Sequence, residues 1–519
     1  MVLPVPQPQR QGAVPRLTQL AREPKSYPAL VLPNNVQDAT DELVKAAAAV
    51  PAARYRDLFQ LRPDVSFLNQ GSFGTIPIAV RKVKDAWMDA VEQEPVDALT
   101  EFDPYIAAAQ RDISEFVGAD PQDVVFVSCA TTGTNTALQS LHLGPKDTIL
   151  VISLAYPAVL NNLQYLRDRY GVRIEVLNVP LPTSRHAIID AFAEWFRTAT
   201  VTPKVAVLDH ITSATALVLP VNEIVAMCRE RGVLSLIDGA HAVGQVPINL
   251  RDMDPDFYIT NCHKWLFAPR GCAILYVRRE LQATVTTLAI SHGYKTGFQG
   301  EFLWPGTYDI SHYLSAPAGL AFWKLTTRGF DRCHRLAVRS GQFLTTALRG
   351  RPLTDDAEML GFMAAVHLPH LTTETPVVRI TPAEYRGAGR SPFVLEPALP
   401  ESIEFPPTPA TDATVVGPAA RAVALHDTLR RKYAIECWCN VADNTVLVRI
   451  SVQCFNRPEE YVALARAVAE IQDGDGAAID EAVVAAYLRD ARSIEEETGW
   501  NSSSSTDGAD AVTKALAAL

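Results

Sequence analysis

Phe257-Tyr-Ile-Thr260 is a short apolar run, and Asn261-Cys-His-Lys264-Trp265 follows it without a break. Similar runs occupy 124–128, 148–154, 173–179, 204–209, 233–237 and 272–277. Most are separated by segments whose apolar residues recur at helical spacing, such as 159–170, 188–198 and 221–230. Short apolar strands alternating with helices predict βαβ units and an α/β fold. Its core would be a mainly parallel, seven-stranded sheet covered on both faces. Ligands of such sheets bind beyond the carboxyl ends of the strands, which is where Lys264 stands.

The chain has 519 residues, more than one domain of ordinary size. Hydrophobic residues make up 48% and charged residues 20%, a soluble globular balance with material for a large core. The formal charge of −11, from 47 basic and 58 acidic residues, argues against nucleic acid as the main partner. No apolar stretch reaches the roughly 20 residues that cross a bilayer, which argues against a membrane partner. Eight scattered cysteines read as reduced thiols in a cytoplasmic protein. Residues 1–22 carry three arginines and no acid, but their prolines and lack of an amphipathic stripe suit a flexible tail better than a transit peptide.

Residues 1–55, rich in Pro and Ala, read as an extended lead-in, and 56–329 as the large domain. Residues 330–471 read as a smaller α+β domain, with strands at 361–368 and 446–451 and a Pro-rich insertion at 373–416. Residues 472–519, with Gly-Asp-Gly, a serine run and a short Ala-rich helix candidate at each side, read as a mobile tail, a free appendage after about 495.

Three motifs carry chemistry. Lys264, at a strand end beside His263, Asn261 and Trp265, is either a solvated surface lysine or a carbonyl-trapping amine of lowered pKa. Asp238-Gly-Ala-His241 lies 26 residues earlier (264 − 238), at another strand end. Its acid suits a helix cap, or the protonated nitrogen of a heterocycle that the small Gly-Ala pair would admit. Ser128-Cys-Ala-Thr131-Thr132-Gly-Thr134 opens a helix after a strand, the setting of a simple cap or of a phosphate site. A reactive lysine, an acid for a ring nitrogen and a phosphate cradle together are what pyridoxal 5′-phosphate requires.

Asn69-Gln-Gly-Ser-Phe-Gly-Thr-Ile-Pro77, Asn261-Cys-His-Lys-Trp-Leu-Phe-Ala-Pro-Arg-Gly271 and Trp304-Pro-Gly-Thr-Tyr-Asp309 give the chain a close likeness. It resembles the class V aminotransferase family, of PLP-dependent transferase fold type I. The branch it looks most like holds isopenicillin N epimerase and the hercynylcysteine sulfoxide lyases. The resemblance covers about 60–470, the insertion excepted. It implies that Lys264 binds the cofactor covalently and shuttles the Cα proton, and that Asp238 pairs with the ring nitrogen. Ala130, Thr131 and Thr132 would meet the phosphate, with Asn261 and His263 completing the cup. Tyr156 would stack on the ring, with His241 near its phenolic oxygen and Ser213 at a cofactor-facing position. Gly306 and Thr307 would reach the phosphate of a neighbouring subunit, implying a homodimer with shared sites. Arg449 would take the substrate carboxylate, and Asn69, Gln70 and Ser72 would line the site mouth. His292 could face the substrate or simply form a turn.

The reaction stays open among C–S lyase chemistry, epimerisation at Cα and cysteine desulfuration, with an inactive scaffold as the alternative outside enzymes. The phrases around Lys264 and Phe73 favour a C–S lyase acting on a cysteine S-conjugate or its sulfoxide. Desulfuration needs a thiol on a mobile loop; Cys437 and Cys439 fall in the right region, but alternation with Ile435 suggests a strand end there.

Overall fold

The computed structural model describes residues 32–96, 102–327, 330–369, 371, 418–473 and 479–500. The insertion at 373–416 and the first 31 residues lie outside the described residues.

In chain order the strands are β1 (Ser66–Phe67), β2 (Val124–Val127), β3 (Thr148–Ile152), β4 (Arg173–Leu177), β5 (Val205–Asp209), β6 (Leu234–Asp238), β7 (Phe257–Asn261), β8 (Ala273–Val277), β9 (Arg351–Pro352), β10 (Met363–His367), β11 (Ile435–Glu436), β12 (Trp438–Ala442) and β13 (Thr445–Ser451). Seven of them form the main sheet in the order β2-β8-β7-β6-β5-β3-β4, within which only β8 runs antiparallel to its neighbours. All seven runs expected from the sequence are strands of this sheet. Strands β3, β5 and β7 are buried along their whole length, and β6 except at Leu234, as continuous apolar runs require when helices cover both faces. Edge strand β4 differs: exposed Arg173 and Glu175 blunt its free edge.

A second, antiparallel sheet has the order β12-β13-β10-β9. The short parallel pair β1 and β11 bridges the two parts. Ser66 N–H donates to Ala434 O at 2.9 Å, Leu68 N–H to Glu436 O at 2.8 Å, and Ser451 N–H to Leu68 O at 2.9 Å. The amino-terminal segment is thereby tied to the second sheet just before Asn69.

Two expectations change. The lead-in is not wholly extended: Asn34–Ala49 is a helix, burying Val36, Ala39, Thr40, Leu43 and Ala47. That i, i+3, i+4, i+7 stripe packs on the helix Ile78–Gln93, and the surrounding Pro and Ala hid it in the sequence. The mobile tail likewise does not begin at 472. Asp480 caps a helix, Glu481–Glu497, that packs Val484, Tyr487, Ala491 and Ile494 against Asp331–Ala347. Beyond it the Trp500 indole is buried, 5.2 Å from the Tyr55 ring and stacked under the Arg332 guanidinium at 3.9 Å. Residues 501–519 lie outside the described residues.

Tyr487 stacks on Phe343 at 4.4 Å and shares a 2.9 Å hydrogen bond with Ser340, with 1% of its surface exposed. Tyr487→Ala is therefore expected to destabilise the chain by roughly 3 kcal/mol in urea denaturation. A loss below about 0.5 kcal/mol, the level of an ordinary surface change, would contradict this packing.

Candidate active site

Strands β5, β6 and β7 are parallel neighbours, so their carboxyl ends open on one edge of the sheet. They end in Asp209, Asp238 and Asn261, all buried. After β7 the chain folds at once into the short helix Cys262–Trp265, which sets Lys264 at this edge. Lys264 is 9% exposed, and its Nζ lies 3.0 Å from His241 Nε2. Burial pulls its pKa down to about 7, against the opposing charge of Asp238. An amine that sheds its proton near neutrality is a nucleophile for a carbonyl.

Asp238 Oδ1 accepts from Ala240 N–H at 2.9 Å. Burial raises its pKa, while that amide and Lys264 oppose the rise. Asp209 stands directly opposite Asp238 in the parallel register. Its carboxyl is pushed well above the usual range by burial and by the charge of Asp238. Two buried acids side by side favour one shared negative charge. The planar group that Gly239 admits is the Tyr258 phenol: a Cβ there would lie 2.5 Å from that ring. The Tyr258 hydroxyl is 2.7 Å from His210 Nδ1, inside the protein.

The helix Ala130–Ser140 starts beside the lysine. Its first amide, Ala130 N–H, donates to Asn261 Oδ1 at 2.8 Å. Asn261 thus clamps the helix end to β7. The amides of Thr131 and Thr132 have no acceptor within the helix, as in any first turn. Thr132 Oγ1 lies 2.8 Å from Ser128 Oγ, adding hydroxyls at the same end. His263 Nδ1 donates to Cys272 O at 3.1 Å, and burial takes its pKa down to about 4.

Arg449, in the middle of β13, is 1% exposed. It donates to Ser213 O at 2.5 Å, to Asn69 Oδ1 at 3.1 Å and to Ser72 Oγ at 3.3 Å. Its Nε is buried with no hydrogen-bond partner among the described residues. Asn69 Nδ2 donates to Glu436 Oε1 at 3.1 Å, which fixes which end of the amide faces Arg449. Ser213, expected against the cofactor, therefore offers its backbone to the arginine. Gln70 is fully buried; its amide donates to Lys264 O at 2.6 Å and accepts from Thr75 N–H at 3.1 Å. Rather than lining the mouth, it holds the backbone of the lysine. Tyr156 caps the helix Pro157–Tyr170, 41% exposed, and feels the charges of both Asp238 and Arg449.

Gly306 and the exposed Thr307 lie in the loop before the helix Ser311–Leu314. His292 is exposed in a turn. Cys437 and Cys439 are buried, and burial raises the Cys439 thiol well above its usual range. Two residues of the cluster were missed in the sequence, Asp209 and Glu436, and Trp265 was noted beside Lys264 without a role. Asp209 could have been found, because it ends an apolar run as Asp238 does.

The donor set fits pyridoxal phosphate. A buried amine, an acid behind it, an open helix N-terminus and an unpartnered guanidinium nitrogen converge on one edge of the sheet. Lys264, Asp238, the Thr131 and Thr132 amides and Tyr156 would hold the group. A buried lysine of depressed pKa also has a thermodynamic signature. Between pH 7 and about 10.4 the unfolded chain binds more protons at this residue than the folded one, so stability rises with pH there. Lys264→Met, which removes the buried amine, is expected to stabilise the cofactor-free chain most at or below pH 7. The advantage should shrink steadily as pH rises, seen as converging melting temperatures from pH 6.5 to 9.5. Parallel curves would mean that the lysine is not desolvated.

The Aminotransferase class-V family model matches residues 80–299. Hercynylcysteine sulfoxide lyase of Schizosaccharomyces pombe is 30% identical over 304 residues, which cover 56% of this chain and 77% of that protein. Putative L-cysteine desulfhydrase 1 of Oryza sativa subsp. japonica is 32% identical over 346 residues, covering 62% and 71%. Among solved structures, the cystine C–S lyase C-DES in complex with cysteine persulfide superposes with a TM-score of 0.60. It is 20% identical and covers 79% of this chain and 98% of its own, a likeness of fold. With the sheet order and the converging lysine, acid and helix end, these matches make the chain a pyridoxal phosphate-dependent enzyme of the class V aminotransferase family.

Proposed function

We propose that the protein is a C–S lyase that eliminates the β-substituent of a cysteine S-conjugate or its sulfoxide, releasing pyruvate, ammonia and a sulfur product. The observation that carries this reading is the neutral-leaning amine of Lys264, buried beside Asp238 and Arg449. Pyridoxal phosphate, when bound, supplies an electron-withdrawing ring conjugated to the substrate's Cα. Asp238 would keep a proton on the ring nitrogen, and the helix end with Thr131 and Thr132 would bind the phosphate; His263, its one N–H spent on Cys272 O, has no donor left for it. Asn261 steadies that cup from behind.

Arg449 binds the substrate carboxylate through its charge and its free Nε–H, and Asn69 and Ser72 hold its guanidinium in place. That grip sets which Cα bond faces Lys264. Lys264 Nζ takes the Cα proton, the electrons of that bond form a Cα=Cβ double bond, and the sulfur leaves with the Cβ–S pair; water then hydrolyses the released enamine to pyruvate and ammonia. Tyr156 covers the site from its exposed side.

The S. pombe lyase and the rice desulfhydrase support C–S cleavage over the other reactions. Desulfuration needs an accessible thiol, and Cys437 and Cys439 are buried in the wall. Epimerisation needs a second proton carrier across the substrate from Lys264, a place His241 cannot take while hydrogen-bonded to that lysine. The exposed Gly306–Thr307 loop supports a homodimer in which it reaches the partner's phosphate. Eight free thiols support a reducing, cytoplasmic setting, and the two sheets support a large domain at 56–329 and a small one from 330 onward.

Proton NMR in heavy water tests the reaction, with the PLP-loaded enzyme given L-cysteine, a cysteine S-conjugate sulfoxide or a non-sulfur amino acid. Pyruvate from the sulfur substrates alone is expected. Loss of the Cα proton without pyruvate would overturn the lyase in favour of an epimerase, and alanine from cysteine would mark a desulfurase. Lys264→Ala is expected to abolish turnover; a scaffold would keep its partner binding instead. Arg449→Met is expected to raise KM for the sulfur substrate about a hundredfold, the scale of a lost buried ion-paired hydrogen bond.

A further inference from the structure

Trp265 follows Lys264 on the helix Cys262–Trp265, and its side chain is fully buried, edge-on to Phe362 at 6.0 Å between ring centroids. Indole carries one N–H donor and no acceptor. Its Nε1, 3.4 Å from His241 Nδ1, can therefore only donate to that nitrogen. A neutral imidazole has one protonated and one bare nitrogen. If Nδ1 accepts, it is the bare one, and the ring proton sits on Nε2, the nitrogen 3.0 Å from Lys264 Nζ.

We propose that Trp265 is a positioning residue that locks His241 in its Nε2–H tautomer, so that Lys264 always faces a fixed hydrogen-bond donor. A fixed donor has a consequence for the lysine. A neutral amine offers Nε2–H a lone pair, whereas an ammonium offers only further donors and meets it donor against donor. Trp265 thus acts through His241 to favour the form of Lys264 that attacks a carbonyl.

The surroundings keep the imidazole neutral, so that the tautomer argument applies. Its ring is buried, and the groups facing it are Lys264 and His263 from the helix after β7 and Arg449 from β13, each a cation when charged. Gln245 reaches only the His241 carbonyl, at 2.7 Å, and leaves the ring to Trp265 and Lys264. Asp238, on the segment that carries His241, faces Lys264. What the Nε2–H does toward a bound cofactor oxygen rests on the reading under Proposed function; the tautomer does not.

The test is NMR of the cofactor-free, full-length chain labelled with ¹⁵N-histidine, correlating ring nitrogens with carbon-bound protons. The His241 signals are those lost in His241→Gln. A protonated Nε2 and a bare Nδ1, unchanged from pH 6 to 9, are expected in the wild type. In Trp265→Phe, which keeps an apolar ring and removes the N–H, the pattern should move toward a mixture with the Nδ1–H form. Nε2 can then accept from the ammonium. The pH midpoint for reductive methylation of Lys264 by formaldehyde should accordingly rise by about one unit, a tenfold change. A bare Nε2 in the wild type would overturn the proposal, and that spectrum decides even if the Phe variant does not fold. An unchanged ring pattern in a folded Trp265→Phe would overturn it as well. A wild type with the expected tautomer but no turnover of any sulfur amino acid would sink the lyase reading and still support the tautomer lock.

Discussion

Lys264 is buried where a charge is hard to keep, and most of the site can be understood as the means of keeping its amine both neutral and reachable. Burial alone would lower its pKa further, and Asp238 holds it near neutrality. Asp238 can do so only while it carries charge, and Asp209 beside it disfavours a second one. The lysine backbone is pinned as firmly as its amine, by the buried Gln70 amide on its carbonyl. The nucleophile is thus surrounded by groups whose protonation states depend on one another. This arrangement tolerates one buried charge more easily than two.

Such a constraint explains why the site spans two sheets. The parallel sheet supplies strand ends and a helix N-terminus, which suit a phosphate and a ring nitrogen. The cation beside Lys264 comes from elsewhere. Arg449 comes from β13 of the other sheet, and the segment Ser66–Ser72 ties it to the lysine. The same stretch that pairs with Ile435–Glu436 through β1 continues into Asn69, which Glu436 orients toward Arg449. One short segment therefore sets the separation between the amine and the guanidinium. Those two groups are the ones proposed to hold a substrate.

The strands were legible in the sequence because each is a short, fully buried run of branched residues, and a parallel sheet leaves little freedom in arranging them. Lys264, Asp238 and the 128–134 turn were legible because each directly follows such a run. Less legible were residues whose role comes from a long-range partner. Gln70 looked like part of the mouth, but its partner is 194 residues away. Ser213 acts through its carbonyl, which any residue could provide. The helix at 34–49 was hidden by composition, since its Pro- and Ala-rich surroundings read as a lead-in while a few residues carry its buried stripe. The helix after Gly-Asp-Gly was legible as an Ala-rich candidate, but its packing on Asp331–Ala347 was not.

A likeness of sequence identifies a family through the residues that touch the cofactor, and these are shared by enzymes that perform different reactions. What separates those reactions is where the second proton carrier stands and whether a thiol can reach the sulfur. Here the hydrogen bonds of His241 engage it with Trp265 and Lys264, and the two candidate thiols are enclosed among β11, β12 and β13. The first concerns residues within the family motifs and the second residues outside them. They bear on the reaction because they are geometric: an imidazole engaged on both nitrogens is poorly placed to act alone across the substrate, and a buried thiol cannot receive a sulfur atom. What remains is a lysine that can remove a proton and an arginine that can hold the carboxylate. For a substrate with a leaving group at Cβ, elimination needs no further group than these.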